Sequence, residues 1–102
     1  WCRTCHKATM RFRRYKLTAA QYADLLNTQG NRCAICLRLF EDGERKDVDH
    51  DHSCCPGELS CGACVRGIVH TACNRAIGLL GESEDALENA LRYLRRHKRM
   101  MR

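Results

Sequence analysis

The chain has 102 residues, 18 Lys+Arg against 12 Asp+Glu, a formal net charge of +6 and nine cysteines. That length gives one small domain with little core to bury, and a domain so lean in aromatics takes its stability from disulfides or structural metal. No stretch approaches the ~20 apolar residues of a membrane span, and the dense cysteines and patterned C-terminal helix exclude a fully disordered chain. The first residue is Trp1 with no apolar signal segment behind it, which reads as a processed or trimmed piece of a longer chain.

In chain order, residues 1–16 form a basic arm with the half-knuckle Cys2-x2-Cys5 and aromatics among arginines in Arg11-Phe-Arg-Arg-Tyr15. Thr18 and Gln21 make a capping box for a helix that carries Tyr22, Leu25 and Leu26 on one face and stops at Gly30. The stretch 33–50 reads as a knuckle and then two short strands joined by a turn at Glu41-Asp-Gly-Glu44, with Val48 heading the second. Residues 53–67 form a cysteine loop. A helix follows from about 70 to 80, with Gly81 as its stop. Ser83 caps a last helix with acids in its first turn and an apolar stripe of Leu87, Ala90, Leu91 and Leu94. Residues 17–102 therefore make one compact α+β domain with a C-terminal helix.

Charge is uneven along this order. Six bases and no acid lie in residues 1–16, a mildly acidic middle follows, and the last helix turns to Arg92, Arg95, Arg96, Lys98, Arg99 and Arg102. Two basic ends suit a polyanion held at the flanks, with carboxylate chemistry at the centre.

An odd cysteine count leaves one thiol over in a pure disulfide framework. The spacing argues further for zinc: Cys2-x2-Cys5, Cys33-x2-Cys36, Cys61-x2-Cys64 and His70-x2-Cys73 all have the two-residue interval that aims a pair of side chains at one tetrahedral ion. Cys33, Cys36, His70 and Cys73 make one Cys3His site. Cys54, Cys55, Cys61 and Cys64 make a second, although adjacent cysteines seldom share an ion, so one of Cys54 and Cys55 is alternatively a buried thiol with His52 in its place. Cys2 and Cys5 are left as half a site. Zinc thiolates imply a reducing interior, and so a cytoplasmic protein.

Asp49-His-Asp-His52 is an unusual polar run for the middle of a zinc-stapled fold. On a strand Asp49 and Asp51 share one face, and His50 and His52 the other. Asn74 directly follows the last knuckle cysteine, on the first turn of a helix. One carboxylate and one amide oxygen form a hard oxygen site for Mg²⁺ or a similar ion, and a neighbouring histidine then activates water against a phosphodiester. Taken singly, each residue has a plainer role: the acids as turn caps, His52 as a zinc ligand, Asn74 as a cap.

The ordered string Val48-Asp-His-Asp-His52, Cys-Cys-Pro, Cys-Val-Arg-Gly67 and His-x2-Cys-Asn74 resembles the recombination endonuclease VII branch of the HNH, or ββα-metal, nucleases over roughly residues 18–80. The resemblance implies a small zinc-stapled ββα-metal domain with flanking helices around one catalytic ion. It implies Asp49 and Asn74 as metal ligands, His50 as general base and His52 at the scissile phosphate. Cys33, Cys36, His70 and Cys73 match the zinc knuckles, with His70 where the family usually has cysteine. Two departures stand out. Ile77 occupies the place of a glutamate ligand, so that ligand is absent or comes from elsewhere, with Asp51 a candidate, and only residues 82–102 follow the helix stop, short of the dimerising region of junction-resolving members.

The expectation is therefore a monomeric, bacterial or phage-encoded DNA endonuclease that nicks or cuts both strands. It would carry two structural zinc ions and one Mg²⁺ or similar cation, and leave 5′-phosphate and 3′-hydroxyl ends. Arg11, Arg13, Arg14, Arg95, Arg96 and Arg99 would grip the DNA backbone, with Arg66 and Arg75 beside the site to hold the phosphate, Arg66 being equally a salt-bridge residue of the fold. The competing reading is a non-catalytic zinc-finger module that binds nucleic acid, which has no need of Asp49, His50 and Asn74 together.

Overall fold

The computed structural model describes residues 3–55 and 61–100, with side chains from 6–55 and 61–98. Cys2 and the side chains of Cys5 and Arg99 lie outside the described residues. The order is α1 (Arg3–Tyr15), α2 (Ala19–Thr28), β1 (Lys46–His50), β2 (Val65–His70), α3 (Thr71–Leu79) and α4 (Glu84–Met100). The chain divides into two compact units, 1–71 and 72–102.

In the first unit the basic arm is helical: α1 carries Lys7, Arg11 and Arg14 at a spacing that puts them on one face. The capping box of α2 is present in both directions. The Thr18 amide donates to Gln21 Oε1 at 2.9 Å, and the Gln21 amide donates to Thr18 Oγ1 at 3.1 Å. Gly30, at φ +67°, ends the helix in a Schellman motif, with Asn31 N on Leu26 O (2.9 Å) and Gly30 N on Asn27 O (3.0 Å).

The sheet differs from the expected hairpin. The first of the two strands placed in 33–50 is only an isolated bridge, Arg32↔Leu39, closing the knuckle. The partner of β1 is β2, antiparallel, drawn from residues assigned to the cysteine loop and the helix start. Burial explains the choice. Val48 opposes Ile68, and Ile68 and Val69 are almost fully buried, so β2 supplies the apolar surface that the polar turn at 41–44 cannot. Leu17, Cys33, Phe40 and Cys64 complete this small core.

Gln29 at the end of α2 acts as an extra strand. Its side-chain amide accepts from Ile68 N at 2.9 Å and donates to Ile68 O at 2.8 Å, locking helix to sheet. Gly67 is what allows this approach, since a Cβ there would lie 3.0 Å from Ala34 Cβ and 3.2 Å from Gln29 Oε1.

The second unit holds most of α3, its stop at Gly81, and α4. Ser83 Oγ accepts from Ala86 N at 3.1 Å, the N-cap expected from the sequence. Leu87, Leu91 and Leu94 of the apolar stripe remain exposed. Among the described residues, no helix is long and apolar enough to cross a membrane.

Candidate functional site

Two donor clusters form as the cysteine spacing predicted. The ligand atoms of Cys33, Cys36, His70 and Cys73 lie within 4.8 Å of one another, and so do those of Cys54, Cys55, Cys61 and Cys64. Thiolates about 2.3 Å from a tetrahedral zinc sit about 3.8 Å apart. In the second cluster Cys54 and Cys61 Sγ are 3.7 Å apart, Cys54 and Cys55 4.0 Å, and Cys61 and Cys64 3.9 Å. Adjacent Cys54 and Cys55 thus both join, and His52 is not needed. No disulfide joins the described cysteines of either cluster.

Local backbone prepares the first cluster for metal. Cys33 Sγ accepts from Ile35 N at 3.4 Å and from His70 N at 3.3 Å. The backbone amide of Arg38, then its guanidinium, hold the Cys36 thiol down to about 6. His70 presents Nδ1 to Cys36 Sγ at 3.3 Å and bonds the Glu44 carboxylate through Nε2. Glu44 therefore fixes the ring and its tautomer. Nothing local marked Glu44, which lies 26 residues away in sequence. In the second cluster Cys61 N donates to Cys55 Sγ at 3.3 Å, while the thiol of Cys61, then those of Cys55 and Cys64, push Cys54 up to about 12.

Between the clusters in sequence runs the Asp-His strand. Asp49 and His50 are both buried, 5% and 6% exposed. The expected alternation breaks here, because the register shifts between them: Asp49 pairs with Gly67 and His50 with Val65, leaving Arg66 as the extra residue of a bulge. The bulge turns Arg66 onto Asp49, Nε to Oδ2 at 2.8 Å and Nη2 to Oδ1 at 3.1 Å. Arg66 is thus an ion-pair partner within the fold. His50 Nε2 lies 3.1 Å from the carbonyl of Cys55, and the exposed His52 ring packs against the His50 ring, tilted by 44° with centroids 4.4 Å apart.

Asp51 is not on the strand. Its Oδ1 accepts from Ser53 N at 2.9 Å and its carbonyl from Cys54 and Cys55 N, so it caps the turn into the second cluster. Asn74 and Arg75 follow Cys73 in the first turn of α3, Asn74 half-buried and Arg75 exposed. Arg11 stacks over Tyr22 at 3.7 Å, and Arg13, Arg14, Arg95 and Arg96 are exposed on α1 and α4.

The profile of the recombination endonuclease VII family matches residues 6–96. The Gene 59 protein of Mycobacterium phage D29 is 38% identical over 85 residues, covering 80% of this chain and 46% of that protein. The Gene 59 protein of Mycobacterium phage L5 is 35% identical over 83 residues, covering 78% and 44%. The chain thus spans less than half the length of these curated relatives. No solved structure matches it. With two knuckle clusters, the buried Asp-His pair and a match over most of its length, the chain belongs to the recombination endonuclease VII family.

Proposed function

We propose that the chain is a metal-dependent DNA endonuclease with His50 as its general base. The observation that carries this reading is the burial of Asp49 beside His50 at the end of β1, with His50 Nε2 against the Cys55 carbonyl. In that contact Nε2 carries the hydrogen and donates, so Nδ1 is the ring's basic atom and takes the proton from the attacking water.

The donor set fits a hard divalent cation. Asp49 is a buried carboxylate that already answers a positive charge, that of Arg66, and Asn74 offers a neutral amide oxygen. Mg²⁺ or a similar ion held there supplies positive charge for the phosphate and the departing 3′ oxygen. Arg66, whose side chain is 40% exposed, then exchanges Asp49 for a substrate phosphate. His52 donates to the scissile phosphate from its exposed place beside His50. The two zinc centres are structural, which suits a compartment where thiols stay reduced.

Arg11, Arg13, Arg14, Arg75, Arg95, Arg96 and Arg99 bind the DNA backbone, and affinity falls steeply with salt. Incubating zinc-loaded protein and Mg²⁺ with supercoiled plasmid tests the reading. Nicked or linear DNA with 5′-phosphate and 3′-hydroxyl ends is the expected result. Plasmid left intact with Mg²⁺ and Mn²⁺ alike, yet retarded on a gel, would establish the zinc-finger binding module instead.

A further inference from the structure

Within the first unit, a cleft of about 680 Å³ lies between α1, α2 and the segment entering β1. Lys7, Arg11 and Arg14 line it from α1, at i, i+4 and i+7, and Arg45 and Lys46 line it from the other side. The two acids in its lining are engaged elsewhere: Glu44 bonds His70, and Asp47 Oδ1 accepts from Thr71 Oγ1 at 2.9 Å. Lys7, Arg14 and Arg45 are exposed and meet no carboxylate among the described residues. The cleft is therefore strongly cationic.

It also has stacking surfaces. The Arg11 guanidinium lies 3.7 Å from the centroid of the Tyr22 ring, and both line the cleft. Tyr15 lines it too, with its ring 6.0 Å from that of His50. A cationic groove with aromatic and guanidinium planes suits a nucleic-acid strand with unpaired bases, because a duplex keeps its base faces stacked inside and offers only phosphates.

We propose that this cleft seats an unpaired stretch of the DNA strand and leads it past Tyr15 to His50. The assignment rests on the nuclease reading for what happens at His50, but its binding claim stands apart from cleavage.

The test uses zinc-loaded His50→Ala protein, so that binding is read without cutting. Fluorescence anisotropy follows a labelled oligothymidylate and a labelled duplex of equal length, over a range of salt. Replacing Lys7, Arg14 and Arg45 together by Ala should weaken the single strand about tenfold or more. It should also flatten its log K against log salt slope by about 2, three phosphates at about 0.7 each. The duplex should change less than about threefold, and Lys7→Arg with Arg14→Lys and Arg45→Lys should restore the single strand. All three side chains are exposed, and circular dichroism with zinc content checks the fold. Unchanged single-strand binding, or an equal loss for the duplex, would overturn the cleft. A chain that binds through the cleft but leaves plasmid intact would overturn only the nuclease reading.

Discussion

Glu44→Gln isolates the support behind the first zinc centre. In the structure His70 presents Nδ1 to the thiolates and donates from Nε2 to Glu44, whose second oxygen accepts from Glu41 N at 3.3 Å. Gln keeps the shape and an acceptor oxygen but removes the charge. A hydrogen bond to a charged group contributes about 1.5–3 kcal/mol net, against about 0.5–1.5 for a neutral one, a difference of about 1–1.5 kcal/mol. The Glu44 side chain is 30% exposed, and solvent screening trims this to about 1 kcal/mol. Zinc affinity should therefore fall about fivefold. Glu44→Ala, which leaves Nε2 to water, should fall further, within the 10–100-fold range typical of such second partners.

Competition with a chromophoric chelator measures this, with Co²⁺ absorption confirming three sulfurs and one nitrogen. His70→Cys supplies the control, since a thiolate there has no second ring nitrogen for Glu44 to hold. In that background Glu44→Gln should change nothing. Equal affinity of wild type and Glu44→Ala for zinc, or the same loss with and without His70, would refute the reasoning.

Two other outcomes follow from the structure. As pH falls from 8, the second centre should empty before the first: Cys54, pushed up to about 12, must yield its proton to zinc throughout this range, whereas Cys36, held down to about 6, competes with protons only below that value. Zinc release followed in wild type and in Cys61→Ser, which lacks the second centre, gives the order, and loss of the first centre first would contradict it. Gly67→Ala should lower the stability of zinc-saturated protein by about 1–3 kcal/mol through overpacking against Ala34 and Gln29, with Ala34→Gly recovering part of it. Chemical denaturation reads both, and a Gly67→Ala midpoint equal to wild type would mean that the helix–sheet contact is not as close as described.

Local chemistry was legible in the sequence. The Thr18 capping box, the stops at Gly30 and Gly81, the Ser83 cap and the membership of both cysteine clusters all depend on neighbours a few residues apart, or on repeated spacing that has one sensible use. The family resemblance was also carried by short ordered motifs, and the profile match extends over residues 6–96.

Long-range pairing was not legible. Val65–His70 follows a run of cysteines and reads as the end of a loop and the start of a helix, and only its partnership with Lys46–His50 makes it a strand. The bulge that brings Arg66 onto Asp49 has no sequence signal, so the sequence left Arg66 open between a phosphate contact and the ion pair that the structure shows. Gln29 on Ile68 and Glu44 on His70 likewise join residues far apart in the chain. Asp51 was legible as the acid at the head of a turn, and its Oδ1 accepts from Ser53 N there.

Chemical rescue reads whether His50 takes the proton from the attacking water. With zinc content matched and Mg²⁺ present, the single-turnover rate of plasmid nicking by His50→Gly should fall about 10²–10⁴-fold below wild type. Added imidazole should restore part of the rate, in proportion to its unprotonated fraction. A variant that nicks as fast as wild type, or one that imidazole leaves unchanged, would contradict the assignment of His50 as the base.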